Sequence, residues 1–161
     1  IKSQGLYEFT YGRVEVRAKL PEAAGTWPAI WMLGSNFTTV GWPQSGEMDI
    51  MEQTGSDKTR VLGTCHWFNI AGSNNASDGE SVIVENTSSE FHLYTLEWNE
   101  DAIKIYVDDE KYYELTNSVG LPFNADFFLI LNVAMGGTLG GDIDPNFTKD
   151  TMEIDYVKVY Q

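Results

Sequence analysis

Apolar and polar residues alternate with a period of two along much of the chain. In Tyr11–Leu20, apolar side chains occupy every second position from Val14 onward, and charged side chains occupy the positions between them. This alternation is typical of an antiparallel strand with one face in a core and the other in water. Related patterns predict five further strands: Phe91–Asn99, Ala102–Val107, Lys111–Leu115, Phe127–Ala134 and Met152–Tyr160.

The segments between these strands are rich in glycine and acidic residues. Asp108-Asp109-Glu110 is expected to form the turn of a hairpin, while Ala71–Gly79 and Gly136–Asn146 are predicted to be loops. Phe127–Val133 is apolar almost throughout, which predicts a strand buried on both faces. Since no segment keeps a helical spacing for long, the sequence predicts an all-β fold, a jelly roll or β-sandwich.

Composition and charge narrow the range of partners. The 161 residues amount to one domain. Because 24 acidic residues face only 10 basic ones, the formal charge is −14, which argues against nucleic acid and anionic membrane surfaces as partners. No apolar run approaches the roughly 20 residues that span a bilayer. The single cysteine, Cys65, excludes an internal disulfide framework and a zinc site built from several cysteines.

Three acids lie within the short segment Glu47–Glu52, interleaved with methionine and isoleucine. In a regular strand Glu47 and Asp49 share one face, and Glu52 points to the other. One extra residue near Ile50-Met51, a β-bulge, would return Glu52 to the face of Glu47. We therefore expect a kinked strand that presents all three carboxyl groups on one side.

Carboxyl groups grouped in this way suit glycoside hydrolysis. Retaining glycosidases use two carboxyl groups about 5–5.5 Å apart, one as nucleophile and one as acid and then base. Crowded carboxyls cannot all ionise freely, so at least one pKa should rise and supply the protonated acid. On spacing alone, an acidic calcium site and a solvated edge strand remain alternatives to catalysis.

Several longer motifs accompany the acidic strand. They are Tyr11–Pro21 (YGRVEVRAKLP), Thr26–Leu33 (TWPAIWML), Trp42-Pro43, Gly63–His66 (GTCH), Asn132–Gly137 (NVAMGG) and Asp155–Tyr160 (DYVKVY). With these motifs the chain resembles glycoside hydrolase family sixteen. The resemblance implies a jelly roll with a concave sugar cleft and a retaining endo-hydrolase. It also implies that Glu47 is the nucleophile, Glu52 the general acid/base, and Asp49 the carboxyl between them that tunes the nucleophile.

Within that family the sequence is similar to the laminarinase branch. Two residues separate Asp49 from Glu52, as in the bulged laminarinases, agarases and carrageenases, and the TWPAIWML and NVAMGG stretches resemble laminarinases. The resemblance implies a β-1,3-glucan substrate, with mixed-linkage β-1,3-1,4-glucan as a second one. A non-catalytic β-glucan-binding module and an enzyme acting on agar or carrageenan are the alternatives. A polymer substrate implies a secreted, extracellular protein.

The resemblance also suggests substrate-binding residues. They are Trp27, Trp31, Trp42, His66 and Asn132. Indoles stack on the flat C–H faces of sugars, although tryptophan is also an ordinary core residue. For Trp31 a place in the cleft and a place in the core are equally expected. His66 is expected to hydrogen-bond substrate or the acid/base, with a structural histidine as the alternative.

Family members usually carry further strands ahead of the segment that begins here at Ile1. We expect those strands, or a second chain, to complete the two sheets. The resemblance implies that catalysis needs no cofactor. It also suggests a structural calcium ion, bound by Asp155 together with ligands from ahead of Ile1.

Overall fold

The computed structural model describes residues 1–161 and contains ten strands and two very short helices. The strands are β1 Gly12–Lys19, β2 Thr26–Gly34, β3 Glu47–Gln53, β4 Arg60–Asn69, β5 Asn74–Ile83, β6 His92–Trp98, β7 Ala102–Val107, β8 Glu110–Thr116, β9 Phe127–Met135 and β10 Glu153–Tyr160. The helices are α1 Phe37–Val40 and α2 Gly137–Gly140. The structure has no helix long and apolar enough to cross a membrane.

The strands form two antiparallel sheets of five strands each, which confirms the all-β prediction. One sheet has the order β10-β1-β6-β7-β8 and is called the outer sheet below. The other has the order β5-β4-β3-β2-β9 and is called the cleft sheet, because it carries the acidic strand at its centre. Strand β3 is hydrogen-bonded to β2 on one side and to β4 on the other. Side chains of these two strands therefore lie next to the three carboxyl groups.

A single core of 23 buried side chains lies between the two sheets. Strand β1 shows how the sequence builds it: Val14, Val16 and Ala18 are fully buried, while the charged residues between them face outward. On β3 the core residues are Met48, Ile50 and Met51. The period-two pattern thus gives each sheet one apolar face, and burying both faces together stabilises the sandwich.

Two predicted loops and one predicted burial pattern need correction. Much of Ala71–Gly79 belongs to β5, a polar strand at the edge of the cleft sheet that pairs with β4 along its full length. Edge strands can be polar on both faces, so their sequences look like loops. Strand β9 is also at an edge, which leaves Val133 37% exposed rather than buried. Within Gly136–Asn146, α2 forms one short turn of helix.

The predicted hairpin is confirmed, with a shorter turn than expected. Strand β7 ends at Val107 and β8 begins at Glu110, so only Asp108 and Asp109 connect them. Asp108 has a positive φ of 54°, which a tight two-residue turn requires and aspartate tolerates.

Candidate active site

A β-bulge on β3 places the three carboxyl groups on one face, as the sequence predicts. Against β4, Asp49 pairs with Thr64 and Glu52 pairs with Leu62, so two residues of β3 stand opposite one of β4. The extra residue lies at Ile50-Met51, and both side chains point into the core with no exposed surface. Glu52 therefore returns to the face of Glu47 and Asp49.

All three carboxyl groups line one cavity on the open face of the cleft sheet. The cavity has a volume of about 260 Å³. Its lining residues come from β2, β3 and β9, which are adjacent: Trp27, Ala29, Trp31, Glu47, Asp49, Glu52, Asn132 and Ala134. Two tryptophan side chains of β2 thus lie along one side of the acidic strand, and the small alanine side chains leave room above the sheet.

Each of the two glutamates accepts a hydrogen bond from a tryptophan indole. Trp27 Nε1 donates to Glu52 Oε1 at 2.9 Å, and Trp42 Nε1 donates to Glu47 Oε2 at 3.1 Å. A third indole, that of Trp31, donates to Asn132 Oδ1 at 2.8 Å. These bonds fix the orientation of both carboxyl groups and of the Asn132 amide.

The structure therefore places the predicted substrate-binding tryptophans in different surroundings. Trp27 and Trp31 form part of the cavity wall, so Trp31 belongs to the cleft rather than to the core. Trp42 stands outside the cavity wall and is 52% exposed, although it reaches Glu47. Part of its indole is thus open to solvent beside Glu47.

His66 lies beside Glu47 and Asp49 because β4 pairs with β3 in the register that puts His66 opposite Glu47. Its Nε2 lies 3.3 Å from Asp49 Oδ2 and 3.8 Å from Glu47 Oε1. Asp49 is only 3% exposed and its Oδ2 accepts no hydrogen bond, so the ion-pair contact with the imidazole compensates only part of the cost of burying its charge. Asp49, and then its neighbours, raise the pKa of His66 and favour the imidazolium.

Burial raises the pKa of all three carboxyl groups. For Glu47, burial and then the neighbouring Asp49 raise the pKa to about 7. For Asp49, burial raises the pKa to about 6, against the opposing effect of His66. Burial also raises the pKa of Glu52, which the Trp27 N–H partly offsets. Because these groups repel one another when ionised, the cluster keeps a proton near neutral pH.

One group of side chains has the spacing of metal ligands. Glu47, Asp49 and His66 offer one ligand atom each, all within 4.8 Å of one another. Two carboxylates and an imidazole are ligands that Zn²⁺ accepts.

The predicted calcium ligand, Asp155, lies on the outer sheet and pairs with Arg17 at 2.7 Å. No cluster of three acidic or histidine ligands includes it. Because calcium also accepts backbone and amide carbonyl oxygens, a calcium site at Asp155 stays a prediction.

Two lining residues escaped the sequence reasoning, Ala29 and Ala134. Alanine carries no chemical signal of a site. The period of two gives the clue: Ala29 lies between Trp27 and Trp31, and Ala134 is two residues after Asn132, so each shares the cleft face with a predicted residue.

Comparison with known proteins places this site in a family. Residues 1–158 match the family described as Glycosyl hydrolases family 16. A solved structure of LamAcat from Zobellia galactanivorans is 49% identical with a TM-score of 0.93, covering 97% of this chain and 66% of that one.

Two curated relatives agree with this match. A "Beta-glucanase" from Rhodothermus marinus is 38% identical over 99% of this chain. A "Glucan endo-1,3-beta-glucosidase A1" from Niallia circulans is 37% identical over 100% of this chain. The chain spans 60% and 26% of the length of these two relatives, respectively.

Proposed function

This chain belongs to glycosyl hydrolase family 16, and on that basis we propose that it is a retaining endo-hydrolase of β-1,3-glucans. The observation that carries the proposal is the bulge of β3, which puts Glu47 and Glu52 in one cavity with Asp49 between them. Mixed-linkage β-1,3-1,4-glucan is the second proposed substrate. A polysaccharide substrate implies that the protein acts outside the cell.

In the proposed reaction Glu47 attacks the anomeric carbon while Glu52 protonates the glycosidic oxygen. The glycosidic bond breaks, the leaving sugar takes the proton of Glu52, and a glycosyl ester forms on Glu47. Glu52, now ionised, removes a proton from water, which attacks the same carbon and releases Glu47. The two displacements leave the anomeric configuration unchanged.

The contacts of each glutamate suit its proposed role. Glu47 must be ionised to attack. Because burial and Asp49 raise its pKa to about 7, the nucleophilic form prevails only above neutral pH, and the Trp42 N–H and His66 partly offset the cost of its negative charge. On Glu52, Trp27 occupies Oε1, while Oε2 has no protein donor and can carry the proton. Asp49 is buried beside Glu47 and raises the pKa of Glu47, so we propose that its protonation state tunes the nucleophile.

Substrate binding is proposed for the side chains around these carboxyl groups. Since Asn132 Oδ1 accepts the Trp31 N–H, the two donors of its Nδ2 are free for a sugar hydroxyl. Trp27, Trp31 and Trp42 offer indole faces. His66 is the only basic side chain in contact with the three carboxyl groups, and a site with so few basic groups suits a neutral glucan better than a sulfated galactan.

The test is hydrolysis of laminarin, lichenan, agarose and carrageenan by the protein and two variants. We expect release of reducing ends from laminarin, with the β anomer appearing first in the proton NMR spectrum. Glu47→Gln and Glu52→Gln should each lower kcat at least about 1,000-fold, as loss of a nucleophile or of acid–base catalysis does.

Glu97→Gln is the matched control, because Glu97 lies on the outer sheet and pairs with Arg13. It should leave hydrolysis unchanged. Binding of laminarin without any release of reducing ends would identify a binding module instead. Preferential release from agarose or carrageenan would identify a galactan hydrolase.

A further inference from the structure

The bulge on β3 decides where Glu52 points, so whatever holds the bulge also holds Glu52. On the β4 side, Gly63 stands opposite the two residues Ile50 and Met51. Such an irregularity disrupts the ladder of backbone hydrogen bonds and leaves peptide groups with poorer partners. The peptide between Ile50 and Met51 lies one residue ahead of Glu52, inside the bulge, and rotation of this peptide would change the direction in which the chain presents the glutamate.

A tyrosine from the opposite sheet contacts this peptide directly. Tyr112 lies on β8 of the outer sheet, and its hydroxyl donates to the carbonyl oxygen of Ile50 at 2.9 Å. Strand β8 is itself irregular at this point, because Ile105 pairs with Tyr113 and Tyr106 pairs with Lys111. Tyr112 is therefore the extra residue of a second bulge, and it points into the space between the sheets together with Tyr113.

The sequence opposite the β3 bulge leaves space for this tyrosine. A Cβ atom on Gly63 would lie 2.8 Å from Tyr112 Oη and 3.0 Å from its Cε2. Gly63 has no positive φ, so its backbone does not require glycine. The requirement is steric: the phenol of Tyr112 occupies the place that a side chain at position 63 would fill.

We propose that Tyr112 is a positioning residue for Glu52, acting through the Ile50 carbonyl in the gap left by Gly63. The hydroxyl fixes the orientation of the bulged peptide, and the peptide fixes the side on which Glu52 emerges. The hydrogen bond from Tyr112 to Ile50 thus links the bulge of β8 to the bulge of β3 across the two sheets. This inference rests on the proposed function, since it assigns Glu52 as the acid/base.

The test compares Tyr112→Phe with Tyr113→Phe. The Tyr113 hydroxyl donates to the backbone oxygen of Asp78 at 3.0 Å, so the control loses an equivalent bond on the same strand but away from the β3 bulge. Two substrates are used for each variant. The leaving group of laminarin is a sugar hydroxyl, which must be protonated by Glu52. The leaving group of a dinitrophenyl β-laminaribioside is dinitrophenolate, which departs without protonation.

For Tyr112→Phe we expect kcat/KM on laminarin to fall about 10-fold, a modest effect for a displaced catalytic group. On the aryl glycoside kcat/KM should change less than about twofold, because formation of the glycosyl ester from this substrate does not need Glu52 as an acid. Tyr113→Phe should keep the wild-type ratio between the two substrates. Gly63→Ala should reproduce the loss on laminarin, and combining it with Tyr112→Phe should add little, because both act through one contact.

Amide hydrogen exchange of the peptide Glu47–Gln53 gives a readout that does not depend on activity. Tyr112→Phe should speed exchange there, and Tyr113→Phe should not. Unchanged exchange in Tyr112→Phe, or an unchanged ratio of kcat/KM between the two substrates, would overturn the proposal for Tyr112. A third outcome separates the two proposals: Tyr112→Phe speeds exchange, but the wild-type protein cleaves neither laminarin nor lichenan. That result would support the contact of Tyr112 with the bulge and refute the assignment as a β-1,3-glucanase.

Discussion

Replacing Glu47 by glutamine should stabilise the protein above neutral pH and leave its stability in acid unchanged. Burial and the neighbouring Asp49 raise the pKa of Glu47 from 4.5 to about 7. At about 1.4 kcal/mol for each pKa unit, ionisation of this carboxyl costs the folded protein about 3.5 kcal/mol. Asp49 and His66 can change their own protonation to relieve part of that cost, so we expect a gain of about 1–2 kcal/mol.

The direction of the pH dependence follows from where the proton is held. Between pH 4.5 and about 7 the folded protein keeps a proton on Glu47 that the unfolded chain has released. Stability from this group is therefore fully present below pH 4.5 and is lost as the pH rises to about 7. Glutamine stays neutral throughout, so the variant should lack this decline. Its amide oxygen can still accept the Trp42 N–H.

Urea unfolding followed by circular dichroism at about pH 4, 6 and 8 measures the difference. Glu97→Gln is again the control, because the Tyr106 hydroxyl and Arg13 lower the pKa of Glu97. Its loss of charge should slightly destabilise the protein at the higher pH, with the opposite sign to Glu47→Gln. The reasoning fails if Glu47→Gln loses stability at about pH 8, or if it gains equally at about pH 4 and 8.

Three further predictions concern single contacts. Trp27→Phe removes the N–H that lowers the pKa of Glu52, so the alkaline limb of the activity profile should move to higher pH and kcat should fall about 10-fold. Gly55→Ala would drive a Cβ atom into the Gly140 carbonyl oxygen, and thermal melting should show a loss of about 3 kcal/mol. Trp98→Phe, at a core indole that donates to a backbone carbonyl at 2.9 Å, should cost about 2 kcal/mol in urea unfolding.

The β3 bulge was predictable because one strand carries the whole argument. Glu47, Asp49 and Glu52 have incompatible parity in a regular strand, and only an extra residue reconciles them. Strand β1 was predictable for a similar reason, since its apolar face alternates without interruption. Strand β5 was not, because a polar edge strand has the composition of a loop and only its pairing with β4 reveals it.

Contacts between distant segments could not be predicted from the sequence. The indole of Trp27 reaches Glu52 because β2 and β3 pair in one particular register, in which Ala29 lies opposite Glu52. That register cannot be read from either strand alone. Tyr112 meets Ile50 across the space between two sheets, where no local pattern links them.

The indole N–H groups at Glu47 and Glu52 have a chemical property that other donors at a carboxyl group would lack. An indole can only donate, and it does not gain or lose a proton in the range where carboxyl groups titrate. A lysine or histidine in the same place could take up or give back the catalytic proton. Two tryptophans therefore anchor one oxygen of each glutamate in every protonation state and leave the other oxygen, Oε1 of Glu47 and Oε2 of Glu52, to exchange protons.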